Sequence, residues 1–233
     1  MAMGDIPAYA AKTATSTIPI VFTVVGDPVK HGLIASLSRP GGNATGAASI
    51  STELLGKQLD LLHQMVPGAA PVGYLSQFGV LGSQELTSDI VEASRALETE
   101  LVVAEARSRS DIETAFATFV QRGIGGLVVG PYALFGANRN RVLELAARNK
   151  IPVMYGNSSW VRGGGLMSYS ASFEGGGKVV VDYVARILRG AKPADLPVQR
   201  PTAFDLVINL KTAKALGLTV PPTLLVLGTE LID

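Results

Sequence analysis

Short β-branched and apolar runs alternate along the chain with longer amphipathic stretches. The runs fall at residues 20–25 (IVFTVV), 72–75, 101–104, 127–129, 151–155 and 206–208. Each is too short for a buried helix and rich in Val, Ile or Leu, so each predicts a buried parallel strand. Between them, Leu54, Leu55, Gln58, Leu59, Leu62 and Met65 keep a helical period, as do Leu86, Ile90, Ala93 and Leu97. Such faces lie on a sheet. Ser110 and Glu113 read as an S-x-x-E capping box ahead of Ile112, Ala115, Phe116 and Phe119. Val142, Leu143 and Ala146 mark another helix, and Val179, Val180, Tyr183, Val184, Ile187 and Leu188 mark one that stops at Gly190. Asn209 and Gly217 bracket a short helix, LKTAKAL. Strand and helix in alternation predict an α/β fold with right-handed crossovers.

Polar and Gly-rich residues recur just after the strands: Gly26-Asp27-Pro28, Ser76-Gln77, Gly130-Pro131-Tyr132 and Gly156-Asn157-Ser158. In an open parallel sheet the carboxyl ends of strands line the ligand crevice, where loop amides and helix N-termini meet a solute. The pattern therefore points to a small-molecule cleft. Tyr132, Phe135, Tyr155, Trp160 and Tyr169 lie near these ends, where rings stack on a flat or apolar ligand. Ordinary loop packing is the alternative for each.

Composition narrows the function classes. The 233 residues allow one large domain or two modest lobes at about 150 residues per domain. With 20 Lys+Arg against 19 Asp+Glu, no long-range field favours nucleic acid or an anionic membrane. Charged residues make up 17%, below the usual quarter or so, and 26 glycines suit close turns in a packed protein. Zero cysteines exclude disulfides, thiolate metal sites and Cys nucleophiles, and two histidines argue against a His-rich metal site. No cofactor or metal is expected. The longest uncharged stretch, residues 64–84, is interrupted by Pro67 and Pro71 and predicts no membrane span. Residues 1–17 show no basic start followed by an apolar run, so no export signal is expected in this chain.

Catalytic constellations fail on spacing. Gly175-Gly176-Gly177-Lys178 lacks the first Gly and the terminal Ser or Thr of a phosphate loop. Gly123-Ile124-Gly125-Gly126 precedes a strand rather than following one. No G-x-S-x-G elbow is present, and His31 and His63 are expected in helical stretches without a serine and an acid at hand. Asp111 and Glu113 suit the first turn of a helix through its dipole. No catalytic residue is expected, and an enzyme reading has no acid–base or nucleophile pair to rest on.

The segments IPIVFTVVGDPV, SRPGGNATG, ELAARNKIPVMYG, GGLMSYS and ILRGAKPADLPVQRPTAFDLVINLKTAKALGLTVPP resemble the substrate-binding proteins of ABC transporters, in the group with tryptophan- and tyrosine-type binders. The resemblance implies a type I periplasmic-binding-protein-like fold: two Rossmann-like lobes with crossing hinge strands, closing over a solute that is offered unaltered to an ABC permease. On this mapping residues 1–46 and 169–201 form a partial N-terminal lobe, and residues 47–168 and 202–233 the C-terminal lobe. The first lobe is expected to be incomplete, with an open sheet edge that makes the chain poorly soluble or pairs it into a homodimer. Full-length members are expected in the periplasm or on a lipid anchor. The resemblance further implies that Asp27 and Pro28 sit on the cleft rim, that Asn43 and Thr45 lie at a crossover with Gly46, and that Tyr132, Tyr155, Gly156, Asn157, Ser168 and Tyr169 face the solute. For Pro28, Gly46 and Gly156 the alternative is that they shape turns. An acid expected after the Ser168-Tyr169 pair to hold an ammonium group is replaced by Ser170, Ala171 and Ser172, which leaves room for an aromatic or otherwise uncharged solute. A ligand-sensing effector domain of a regulator or receptor is the competing function, although no helix-turn-helix or basic stretch accompanies it.

Overall fold

The computed structural model describes residues 1–24, 26–48, 51–172 and 177–233, with the side chains of residues 51–53 left aside. The chain divides into two compact units, one of residues 1–51 and 171–204, the other of residues 52–170 and 205–233.

The smaller unit is built on a parallel sheet in the order β1 (Ala2–Met3), β2 (Ile20–Val24), β3 (Ala44–Ala48). Alternate residues of β2 serve opposite faces, as a pleated strand requires. Ile20, Phe22 and Val24 pack with Ala8 of α1 (Asp5–Ala14), while Val21 packs with Val180 and Tyr183 of α8 (Lys178–Leu188). A strand covered on both faces has no polar side, which explains its unbroken apolar run. Strand β3 is made of small residues, ATGAA, because its neighbour lies close: a Cβ on Gly46 would collide with the Phe22 carbonyl. Gly175 and Gly176, weighed above as a phosphate loop, lie outside the described residues, as does Val25.

The larger unit holds a seven-stranded sheet. Its strands are β4 (Val72–Gln77), β5 (Leu101–Ala106), β6 (Gly126–Val129), β7 (Val153–Tyr155), β8 (Met167–Ala171), β9 (Phe204–Asn209) and β10 (Glu230–Ile232). They are ordered β10-β9-β8-β7-β6-β4-β5. Strands β4 to β8 are mutually parallel. The expectation of wholly parallel strands fails at β9: Asn209 N–H donates to Leu166 O and Ser172 N–H to Ala203 O, so the start of β8 faces the end of β9 and the pair is antiparallel. Strand β10 then runs parallel to β9, and the sheet is mixed.

The helices between the strands are α2 (Ser51–Met65), α3 (Ser83–Ala96), α4 (Arg109–Gln121), α5 (Ala133–Ala137), α6 (Arg139–Arg148), α7 (Ser158–Arg162), α9 (Leu210–Ala215) and α10 (Pro222–Leu227). Leu55, Leu59 and Leu62 of α2 join Tyr74, Phe116, Phe119, Val128 and Met154 in one buried cluster. Close packing again selects glycine, since a Cβ on Gly73 would lie 2.6 Å from Ile124 Cδ1.

Two local expectations need correction. The α4 cap is Ser108 with Asp111: the Asp111 N–H donates to Ser108 Oγ, and the Asp111 carboxylate accepts from the Ser108 and Arg107 amides. The helix starts two residues earlier than the Ser110/Glu113 spacing suggests, and Glu113 is free to pair with Arg141. His31 lies in a turn rather than a helix, edge-on to Tyr9 at 6.2 Å, whereas His63 does lie in α2.

Candidate functional site

In the larger unit, parallel β4, β6, β7 and β8 end on one edge of the sheet. The register pairs Leu75 with Val129 and Tyr155 with Ser168, so Ser76-Gln77, Gly130-Pro131-Tyr132, Tyr155-Gly156-Asn157 and Ser168-Tyr169 come together there. Residues 76–82, 130–138, 155–161 and 168–172 include no Asp, Glu, Lys, Arg or His. These segments are polar and carry no charged side chain of their own, while Arg107, just after β5, lies over Phe78.

Hydrogen bonds knit part of this sheet edge. Tyr132 Oη lies 3.5 Å from both Tyr74 Oη and Ser76 Oγ. Ser76 Oγ lies 3.2 Å from Thr87 Oγ1, which donates to the Ser83 carbonyl. Gly130 permits this arrangement, because a Cβ there would run into the Tyr132 ring and approach Leu75 O at 2.9 Å. Burial, reinforced by Tyr132, pushes the Tyr74 phenol far above its ordinary range, and burial does the same to Tyr155. These hydroxyls remain neutral hydrogen-bonding groups at ordinary pH and cannot serve as bases.

Two of the rings expected to meet a ligand pack against neighbouring rings. Tyr155 is 1% exposed and stacks on Trp160, with centroids 4.9 Å apart and planes at 12°. Tyr132, 8% exposed, packs edge-on against Phe135 at 5.9 Å. Asn157 caps α7, its Oδ1 accepting from the Ser159 amide and hydroxyl. Gly156 is half-buried, and the Tyr169 carbonyl accepts from Gln58 Nε2 at 2.7 Å.

Two buried atoms on this edge have no hydrogen-bond partner among the described residues: Ser168 Oγ, on a residue 1% exposed, and Gln77 Oε1. Buried polar atoms are nearly always satisfied, so unpaired atoms on β4 and β8, with β6 and β7 between them on the same sheet edge, suit the donors of a ligand lying along that edge. Gln77 stood out in the sequence only as a polar residue after a strand. Phe78, 46% exposed under the Arg107 guanidinium at 3.7 Å, gave no such signal.

The candidate residues of the smaller unit are differently employed. Asp27 Oδ1 accepts from the Val29 and Lys30 amides and so closes its own turn, while the Pro28 carbonyl accepts from Leu33 and Ile34. Asn43 donates to the Thr15 and Ile18 carbonyls and accepts from Lys12 Nζ. Thr45, fully buried, donates to the Leu196 carbonyl at 2.6 Å. Asn43 and Thr45 thus spend their polar groups holding backbone together. Near the ends of β1 and β2, Asp5 Oδ1 accepts from the Gly26 amide. The buried, unpartnered Tyr9 hydroxyl is pushed up to about 12 by burial, then by Asp5 and Asp27. Asp5 and Tyr9 escaped the sequence reading because nothing there signalled β1. Among the described residues, no group of three or more His, Asp or Glu side chains is placed to hold a metal ion. No helix among the described residues is long and apolar enough to cross a membrane.

The mixed α/β sheet and its helices share the fold of type I periplasmic-binding-protein-like structures. Residues 1–232 match the family of ABC transporter substrate binding proteins, and the chain belongs to it. A tyrosine-binding protein of Clostridioides difficile is 28% identical over 211 residues, 91% of this chain and 60% of the relative. The chain therefore spans about three fifths of that relative's length. Among solved structures, an ABC domain in complex with L-Trp from Streptococcus pneumonia superposes with a TM-score of 0.88 at 22% identity, covering 99% of this chain and 79% of that one. A conserved domain protein from Vibrio cholerae gives 0.87 at 28% identity, covering 98% and 76%.

Proposed function

We propose that this chain captures a small, aromatic solute for an ABC importer, outside the cytoplasmic membrane, and surrenders it chemically unaltered to the permease. The observation that carries this reading is the two buried unpartnered atoms, Ser168 Oγ and Gln77 Oε1, in strand-end segments that carry no charged side chain of their own. Such atoms incur a desolvation cost that a solute's N–H or O–H groups offset on binding. The neutral phenols of Tyr74 and Tyr155 support binding rather than catalysis, and the relatives named for tyrosine and solved with L-Trp support an aromatic solute. On this reading Tyr132, Tyr155, Gly156, Asn157, Ser168 and Tyr169 belong to the solute-binding rim of the larger unit, and Asp27 and Pro28 to the strand-end rim of the smaller unit.

Isothermal titration with L-tryptophan, L-tyrosine and indole-3-propionate tests it. The expected result is saturable one-to-one binding of at least one, with the compound recovered intact. Absence of heat at millimolar concentrations of all three, or a new product, would overturn it.

A further inference from the structure

A cavity of about 440 Å³ in the larger unit lies where α4 begins and α5 passes into α6, and Arg109, Asn138, Arg139, Asn140 and Arg141 line it with no acidic residue among its lining. In a chain whose formal charge is only +1, three guanidiniums around one cavity are a strong local concentration. They are not equally engaged. Arg141 is fixed by Glu113 at 2.8 Å and by Glu144 at 2.9 Å, which commits both carboxylates to it. The nearby Asp111 carboxylate is taken up by the Arg107 and Ser108 amides. Arg109 and Arg139 have no ion-pair partner among the described residues.

Like charges held around one hollow repel unless an anion joins them. Guanidinium forks match the oxygens of a phosphate group and bond them in pairs. The Asn138 side chain donates back to the Leu134 carbonyl and leaves the start of α6 without a side-chain cap, which adds to the positive potential. The volume lies within the range of small-ligand sites.

We propose that this cavity binds a small multivalent oxyanion of the phosphate type, with Arg109 and Arg139 as its direct ligands and Arg141 as the fixed charge beside them. Gly136, Ala137 and Asn138 also line the cavity and adjoin the solute rim, so the L-tryptophan titration is the control that separates the two sites. Isothermal titration with inorganic pyrophosphate at low ionic strength is expected to show saturable one-to-one binding that weakens steeply with added salt. The double variant Arg109→Ala/Arg139→Ala should raise Kd about tenfold or more while leaving the melting temperature and the L-tryptophan titration as in the parent. Undiminished pyrophosphate binding in that variant, or no saturable binding at millimolar concentration, would overturn the proposal. So would a hexaglutamate peptide binding where pyrophosphate does not, since that would make the cavity a contact for an acidic protein segment.

Discussion

Replacing Ser168 by Ala should make the ligand-free protein more stable and the solute complex weaker. Ser168 Oγ is buried without a partner at the end of β8, opposite Tyr155. A buried hydroxyl left unpaired costs about 1–3 kcal/mol in proteins. Deleting the oxygen removes that cost and leaves a void smaller than a methyl group, so the net gain is about 1 kcal/mol. For a chain of this size that raises the melting temperature by about 2–4 °C. In the complex the parent hydroxyl, already stripped of water, meets a solute group in a hydrogen bond that the variant cannot form. The loss of about 1–2 kcal/mol corresponds to a five- to thirtyfold rise in Kd, roughly. Urea denaturation of both proteins without solute, beside titrations with L-tryptophan, reads the two effects separately. A destabilised ligand-free variant, or an unchanged Kd, would refute the reasoning.

Three further outcomes follow from the same geometry. Ser108→Ala should cost about 1 kcal/mol through loss of the α4 cap, whereas Ser110→Ala should leave the urea midpoint nearly unchanged. The Tyr9 phenol ionises at about 12 in the folded chain against 10.0 ordinarily, so its contribution is fully present below pH 10 and is lost as the pH rises towards 12. Tyr9→Phe, which removes a buried hydroxyl without a partner, should gain about 1 kcal/mol at neutral pH, as Ser168→Ala does, and lose less stability across that alkaline window in pH-jump unfolding. Gly130→Ala should drive the Tyr132 ring from its place beside Ser76 and destabilise the protein by roughly 1–3 kcal/mol, seen in the urea midpoint together with weaker solute binding.

The alternation of apolar runs and helical periods carried the α/β class and the positions of β2, β4 to β7 and β9. It missed elements whose burial is achieved with small or few residues. Strand β3 is ATGAA, chosen for close approach to β2 rather than for apolar bulk. Helix α1 buries only Ala8, so its pattern lacks the large apolar residues that mark a helical face. Strand β1 has two residues, too few to show any period. The reversal at β9 was invisible because apolar runs carry no direction.

For the site, strand-end position was legible, but what each polar group does there was not. Thr45 is engaged by the Leu196 carbonyl, 151 residues away in the chain, and Asn43 by Thr15 and Ile18. Ser168 and Gln77 carry the same kinds of polar group and are left unpaired. Only tertiary placement separates the two cases.

Amide hydrogen exchange with and without L-tryptophan tests the central claim most directly. Solute should slow exchange in peptides covering residues 76–82, 130–135, 155–158 and 168–170, where the strand ends meet. Protection confined to other segments, with none at these four, would contradict the account.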